Sequence, residues 1–322
     1  MRHHSCYPLV LLACLCCTAA AANSSASIDE IQVTATRRST NLADISTAVT
    51  VVGAEQLVLN NLATDAFAGQ AGVFLQETTP GQGAVIIRGM KGSEVLHLVD
   101  TMRLNNAIFR NAPTQYVALV DPKIVERVEI ARGSISSLYG SDVMGGAVNF
   151  ITHKPEFFNT GVGFRGDANL MASSAELAKA VSIGLETGNA SLAGLVRFSS
   201  FAAGKRRTGG TKQRTPFTAY SYNAARLALR GTATDRNNWF IDLQYLHQPH
   251  TDRVDELVPG YGQTEPESAE FSFQPNERAF AHMQYELLRG LWSADWRFVG
   301  LRANWCSARR SWNRSAASEY LG

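Results

Sequence analysis

The stretch Ile124–Thr152 constrains the fold more than any other part of the chain. Its first part, Val125–Ile130, places β-forming residues among charged ones, which predicts a part-exposed strand. Ser134–Tyr139 is typical of a short helical turn opened by a serine cap, and Val148–Ile151 predicts a second strand. Between the strands lie glycines that permit tight bends and a close approach of the backbone, namely Gly140, Gly145 and Gly146. The stretch therefore predicts two strands packed closely against a neighbour.

This stretch closely resembles the signature at the C-terminal end of the plug domain in TonB-dependent outer-membrane receptors. Nearly every position is matched, including the pairs Arg132–Gly133 and Tyr139–Gly140. The departures are mild: Ala131 stands for a larger apolar residue, Ser134 for a proline and Val143 for an alanine. The chain is thereby identified as a member of this family, of the ferric siderophore or haem receptor type.

The resemblance implies an α+β plug domain, with a small mixed sheet and short helices, followed by the first strands of an antiparallel transmembrane β-barrel. The expected divisions are a signal peptide (1–22), a leader (23–45), the plug (46–153), part of the barrel with about seven strands (154–302) and an aberrant tail (303–322). The resemblance also implies that Arg88 and Arg132 latch the plug to glutamates of the barrel wall. A planar guanidinium suits that role because it can hold a carboxylate with two hydrogen bonds. A salt bridge within the plug is the alternative.

The start of the chain predicts export. A basic beginning, an apolar run at Tyr7–Cys17 and small residues at Ala19–Ala22 form a secretory signal; a lipoprotein signal ending at Cys14 is the rival interpretation. Of the five cysteines only Cys306 lies outside this signal, so the mature chain is expected to form no internal disulfide. Stability must then come from another device, such as a closed barrel.

Alternating residues in the leader suggest a coupling peptide. The family resemblance implies a TonB box, whose residues bind TonB by adding a strand to an open sheet edge; an ordinary first strand is the alternative. The residues assigned to the box are Ile31, Gln32, Val33, Thr34 and Ala35.

Within the plug region, Ser46–Val52 predicts a strand and Ala54–Leu62 a helix. A second short helix is expected from Asp65 to Gly72, followed by a strand at Val73–Gln76. The segments 85–89 and 95–100 resemble the central strands of the family's plug. Residues 104–115 show no hydrophobic periodicity, which is typical of a surface loop. In the family such loops touch the substrate. The resemblance therefore implies that four residues contact the substrate: Asn105, Asn106, Phe109 and Arg110.

From residue 161 onward, stretches of about ten residues alternate between apolar and polar. Trp239–Leu246 and Ala281–Leu287 show the alternation most clearly, with Asp242, Gln244 and His282 on the polar faces. A soluble sandwich would alternate too, and the preceding plug and signal favour the barrel. The predicted strands are Val162–Leu170, Ala178–Glu186, Leu192–Phe201, Tyr220–Arg230, Trp239–Leu246, Ala279–Leu288 and Ser293–Leu301.

Enzymatic chemistry is not indicated, and no cofactor is expected. The G-x-G-x-x-G match at Gly161–Gly166 is followed by no helical pattern, and the serines of 134–141 complete no nucleophile elbow. His247 and His250 are weak candidates for binding metal or haem iron, while His97 is interpreted as structural. The 30 basic residues are scattered among 28 acidic ones, so nucleic acid is not an expected partner.

The family resemblance implies a monomer that binds an iron chelate or haem, contacts outer-membrane lipid and is energised through TonB with ExbB and ExbD. Seven strands cannot close a barrel around a plug. The residues after Ala303 also lose the alternation and carry the chain's last two tryptophans. A frame change near Phe298–Ala303 is therefore hypothesised. A non-functional remnant, a plug-only periplasmic module and a passive porin-like channel are the alternatives to a working receptor.

Overall fold

A computed structural model describes residues 32–33, 40–41, 47–57, 62–79, 82–105, 117–174, 176–207, 214, 218–234, 237–249, 276–287 and 292–303. The strands, in chain order, are β1 (Gln32–Val33), β2 (Thr40–Asn41), β3 (Ala48–Gly53), β4 (Val73–Thr79), β5 (Gln82–Ile87), β6 (Val95–Val99), β7 (Met102–Arg103), β8 (Val125–Arg132), β9 (Gly146–Thr152), β10 (Gly163–Ser173), β11 (Ala178–Gly188), β12 (Leu192–Ala203), β13 (Tyr220–Thr234), β14 (Asn237–Gln248), β15 (Asn276–Leu287) and β16 (Trp292–Ala303). The helices are α1 (Ala54–Leu57) and α2 (Ser136–Tyr139), with 3-10 turns at Ala63–Phe67, Gly92–Glu94, Val117–Leu119 and Pro122–Ile124.

Five strands of the plug form one mixed sheet in the order β3-β8-β9-β6-β7, in which only β6 and β9 run parallel. β9 occupies the middle of the sheet, and all its residues are buried. Its Phe150 meets Phe67 edge to face, with ring centroids 6.1 Å apart. The predicted small mixed sheet with short helices is confirmed.

Several details of the plug differ from the sequence-based expectation. β8 is mostly buried rather than part-exposed, because it lies between β3 and β9. β5 is not a central strand, since it pairs with β4 in a separate two-stranded sheet. α2 begins at Ser136 after Ile135, and no side chain caps it, so the predicted serine cap is wrong. Of the predicted helix Ala54–Leu62, the structure describes α1 over Ala54–Leu57, and 58–61 lie outside the described residues. The expected second helix is a 3-10 turn at Ala63–Phe67.

The remaining seven strands, β10 to β16, form an antiparallel sheet in which each strand pairs with the next; we call this sheet the wall. All seven predicted strands are present, each within a few residues of its expected bounds. Side chains alternate in exposure, as in β11, where Val181, Ile183 and Leu185 are exposed while Ser182 and Glu186 are buried. The Gly161–Gly166 motif runs into β10, a strand, and not into a helix.

The wall and the plug share apolar contacts. Phe280 of β15 belongs to the same buried cluster as plug residues Val117 and Val120. In the described part of the chain, no helix has the length and apolar character required to cross a bilayer.

Gly145 tests the close packing that the glycine pattern predicted. A Cβ at this position would lie 2.7 Å from the carbonyl oxygen of Ile87 and 2.8 Å from Cβ of Met90. Because backbone cannot yield as a flexible side chain does, we expect Gly145→Ala to lower the free energy of unfolding by about 1–3 kcal/mol. Urea unfolding of the purified chain in detergent measures the loss.

Gly53→Ala is the matched control, because a Cβ there meets no atom within 4 Å. Equal stability of the two variants would contradict the proposed close approach at Gly145.

Candidate functional site

Of the predicted TonB box, the structure describes Gln32 and Val33, which form β1 and pair antiparallel with Thr40–Asn41. Ile31, Thr34 and Ala35 lie outside the described residues. The backbone at Gln32–Val33 is therefore extended and already paired with a strand of the same chain, and the binding of TonB stays a prediction.

The two predicted latch arginines lie near each other, since Arg132 ends β8 and Arg88 contacts the next residue, Gly133. Arg132 donates a hydrogen bond from Nη2 to the hydroxyl of Thr50 in β3. Arg88 is exposed and has a positive φ of 54°, and its guanidinium lies over Gly133, where a Cβ would be 2.8 Å from Nη1. Latching to wall glutamates remains a prediction for both residues.

Asn105 is bound within the plug. Its Oδ1 accepts a hydrogen bond from the backbone N–H of His97 at 2.8 Å, and its Nδ2 donates to the carbonyl of Val95 at 2.9 Å. The same Oδ1 lies 3.2 Å from Nδ1 of His97, whose pKa burial lowers to about 4. The other predicted contacts of this loop, Asn106, Phe109 and Arg110, lie outside the described residues.

The histidine candidates gain no support as a metal site. Nδ1 of His247 lies 3.3 Å from Oε1 of Glu277, and His250 is outside the described residues. In the portion of the chain that is described, no group of three or more His, Cys, Asp or Glu side chains could hold a metal ion.

The most extensive polar site is a buried network between the wall and the end of the plug. Its centre is Arg226 of β13, which pairs with Asp242 of β14 through Nε at 2.9 Å and Nη2 at 3.1 Å. The two side chains are 1% and 0% exposed. The remaining donors of Arg226 point to the plug: Nη1 donates to the carbonyl of His153 and Nη2 to the hydroxyl of Thr152, both at 2.7 Å.

Thr152 carries the network into the plug sheet. Its hydroxyl donates to Oδ2 of Asp100 at 2.7 Å, and its backbone N–H donates to Oδ1 of Asp100 at 2.9 Å. Burial raises the pKa of Asp100, and the carboxylate of Asp242 raises it further, while Arg226 and the two bonds from Thr152 act against the rise. Asp100 follows β6, so this contact joins the ends of β6 and β9.

On the wall side, the network continues through neighbouring strands. Gln244 donates to Oδ2 of Asp242 at 2.8 Å and accepts a bond from Nη2 of Arg278 at 2.9 Å. Arg278 is fully buried, with Cζ 5.7 Å from the ring centroid of Phe280. Charged groups from three wall strands and the plug thus share one water-excluded region.

A second polar contact lies at Asp121, which caps the turn Pro122–Ile124 by accepting from the backbone N–H of Lys123 at 2.9 Å. Its carboxylate also accepts hydrogen bonds from the wall hydroxyls of Ser199 and Tyr222. Burial raises the pKa of Asp121, and the backbone N–H of Lys123 is the largest opposing contribution.

The segment that leaves the plug is also fixed to the wall. Glu186 of β11 accepts a hydrogen bond from the backbone N–H of Glu156, and its Oε2 lies 3.4 Å from Nε2 of His153. Glu186 is therefore a wall glutamate that contacts the plug's exit without involving Arg88 or Arg132.

Sequence reasoning placed Asp242 and Gln244 on the polar face of a strand but did not connect them with Arg226 or Asp100. The available signal was a charged residue at an inward position of a strand, since a buried charge in a barrel needs a partner. The identity of the partner depends on register, which pairs Arg226 with Gln244 and Ala228 with Asp242 across two strands.

Comparison with known proteins agrees with this architecture. Residues 41–147 match the model of the TonB-dependent Receptor Plug Domain. Over 137 residues the chain is 31% identical to the vitamin B12 transporter BtuB of Vibrio vulnificus (strain CMCP6), a match covering 40% of this chain and 21% of BtuB. Residues 41–147 therefore form a plug domain of the TonB-dependent receptor type.

Solved structures share the fold. The chain superposes on FpvA of P. aeruginosa with a TM-score of 0.61 at 16% identity, covering 83% of this chain and 35% of FpvA. The ferric enterobactin receptor PfeA of Pseudomonas aeruginosa gives 0.58 at 17%, covering 80% and 41%. The copper transporter OprC gives 0.60 at 15%, covering 74% and 34%. The chain thus spans 34–41% of the length of these three proteins.

Asp100 should make stability depend on pH. Because burial raises its pKa in the folded state, the folded chain binds the proton more tightly than the unfolded chain does. This contribution to stability is present at pH values near and below the ordinary value of 3.8 and is lost as pH rises through the folded pKa. Relative to Asp100→Asn, the wild-type chain should become more stable as pH falls, as measured by urea unfolding at several pH values. Parallel pH profiles for the two proteins would contradict this.

Asn105 should stabilise the plug irrespective of any ligand. Asn105→Ala leaves the backbone N–H of His97 and the carbonyl of Val95, both in a buried strand, without their side-chain partner. We expect the free energy of unfolding to fall by about 1–3 kcal/mol, measured in urea without added ligand. Gly53→Ala, where a Cβ meets no atom within 4 Å, is again the control; unchanged stability of the alanine variant would refute the structural role.

Proposed function

We propose that this protein acts in active import of a scarce, bulky metal chelate across the outer membrane, with a ferric siderophore or haem as cargo. The observation that carries the proposal is a plug joined to strands of a wall through a buried polar network. A passive pore needs no such plug, whereas a gated importer needs one that is held within its wall. The named cargo of related receptors, vitamin B12 and enterobactin, supports a chelate as the substrate class.

The coupling step in this proposal uses the box Ile31–Ala35. Its backbone would add to an open sheet edge of TonB, as short extended peptides do in strand addition. TonB, energised by ExbB and ExbD, would then transmit the inner-membrane proton gradient to the plug. The extended backbone at Gln32–Val33 supports this role, and its pairing with Thr40–Asn41 would be exchanged for pairing with TonB.

The plug–wall latch and the ligand contacts belong to the same proposal. Arg88 is exposed, and Nε of Arg132 is buried without a hydrogen-bond partner among the described residues, so both can bind further carboxylates. Asn106, Phe109 and Arg110 would contact cargo from the plug loop, with Asn105 holding the base of that loop to β6.

The proposed location is the outer membrane, reached through the signal at residues 1–22. The exposed apolar face of the wall, with Val181 37%, Ile183 48% and Leu185 48% exposed, supports contact with lipid. The proposed receptor is a monomer that is energised through TonB.

The test is uptake in cells that carry the gene at its own locus. Deletion should abolish growth on one iron chelate or on haem, and Val33→Pro should lower its uptake about tenfold or more while surface binding remains, because proline removes a main-chain donor needed for strand addition. Uptake of radiolabelled iron by energised cells measures the effect.

Gln32→Ala is the matched control, because it keeps the backbone N–H. Undiminished uptake with Val33→Pro would refute coupling through the box. Normal growth of the deletion strain on every chelate, with vitamin B12 included in the panel, would refute the transport function and favour a remnant.

A further inference from the structure

Arg226 uses its guanidinium in two directions at once. Towards the wall it forms a two-bond pair with Asp242, and towards the plug it donates to Thr152 and to the backbone of His153. These bonds occupy four of its five N–H donors. A wall residue that served only its own sheet would need only the first two.

The plug groups that receive these bonds sit where the central strand ends. Thr152 is the last residue of β9 and His153 the first residue after it. Thr152 in turn is bound to Asp100 at the end of the neighbouring strand β6. A single guanidinium therefore fixes the end of the central strand β9 and, through Thr152 and Asp100, the end of its parallel neighbour β6.

Burial decides how firmly this contact holds. Arg226, Asp242 and Thr152 are each at most 3% exposed, so neither water nor salt screens the pair as it would at a surface. Breaking the contact with the plug would leave hydrogen-bond donors of a buried cation without acceptors, which is strongly unfavourable. Separation of the plug from the wall is therefore less favourable at Thr152–His153 than at exposed parts of the plug.

We propose that Arg226, oriented by Asp242, is the positioning residue that anchors the exit of the plug to the wall. The anchor keeps Thr152–His153 in place, so any rearrangement of the plug must occur in segments other than this one. The anchor itself rests on the fold, and only its use during uptake rests on the proposed function.

The experiment measures amide hydrogen exchange of the full chain in detergent by mass spectrometry, comparing peptides from β9 with peptides from β13 and β14. Removing the cation alone leaves Asp242 buried and uncompensated, so Arg226→Met is expected to speed exchange in both regions. The informative protein is Arg226→Met/Asp242→Asn, which removes both charges and keeps an oxygen for the amide of Gln244.

In this double variant, exchange in β13 and β14 should stay within about threefold of wild type, because the charge balance of the wall is restored. Exchange at the end of β9 should be about 10- to 100-fold faster, because two hydrogen bonds from a charged donor are lost. Adding Thr152→Val should then change β9 less than Thr152→Val does alone, because the bond from Arg226 is already lost and only the hydroxyl bond to Asp100 remains to be broken.

Arg197→Met is the matched control. Arg197 lies directly opposite Arg226 on β12, and its described hydrogen bonds go to the wall residues Asp167 and Ser182. This variant should leave the exchange of β9 unchanged.

Protection of β9 that returns to the wild-type level in the double variant would overturn the anchor, because Arg226 would then serve the wall alone. The anchor would also be refuted if Thr152→Val accelerated the exchange of β9 by the same factor in the double variant as in the wild-type chain. The measurement involves neither cargo nor TonB, so failure of the transport proposal leaves its result unaffected.

Discussion

The structure depends on the burial of an ion pair between two strands of the wall. Arg226 and Asp242 are almost fully removed from water, and the desolvation of two charges costs more than one contact can return. The cost is offset only because further polar groups complete the hydrogen bonds of both partners. Thr152, His153 and Gln244 do so, and two of these three belong to the plug. The wall therefore needs the plug for its own electrostatic balance.

The same constraint explains the apolar contacts around the network. Phe280 packs into the plug's core cluster, and Phe201 stacks with Tyr220 and Tyr222 in a cluster that includes plug residues Leu62 and Leu119. Apolar burial of this kind contributes about 25 cal/mol per Å² without preferring one orientation. Hydrogen bonds from Arg226 and to Asp121 fix the orientation, because they are formed in one geometry only.

The distribution of these contacts has a consequence for function. The edge strand β3 pairs with a single neighbour, whereas β9 has two neighbours and its end is bound to the wall. Strands at an edge exchange partners more easily than central ones, since fewer hydrogen bonds hold them. The leader that contains the proposed coupling peptide precedes β3, so force applied there would act first on the less firmly held side of the sheet.

The sequence alone determined the class of the protein and most of its strands. The Ile124–Thr152 signature indicated the plug domain, and alternation at a period of two located all seven wall strands, because strands such as β11 bury one face and expose the other. Tertiary structure decided what local pattern cannot: the hairpin of β4 and β5, the burial of β8 and the partners of Arg226. Asp100 and Asp242 are distant in sequence, and only strand order and register bring Asp242 to Arg226 and Asp100 to Thr152, which Arg226 also binds. The position of a residue in the alternating pattern shows which face of the strand it occupies, but the group that it contacts there is set by the packing of the whole chain.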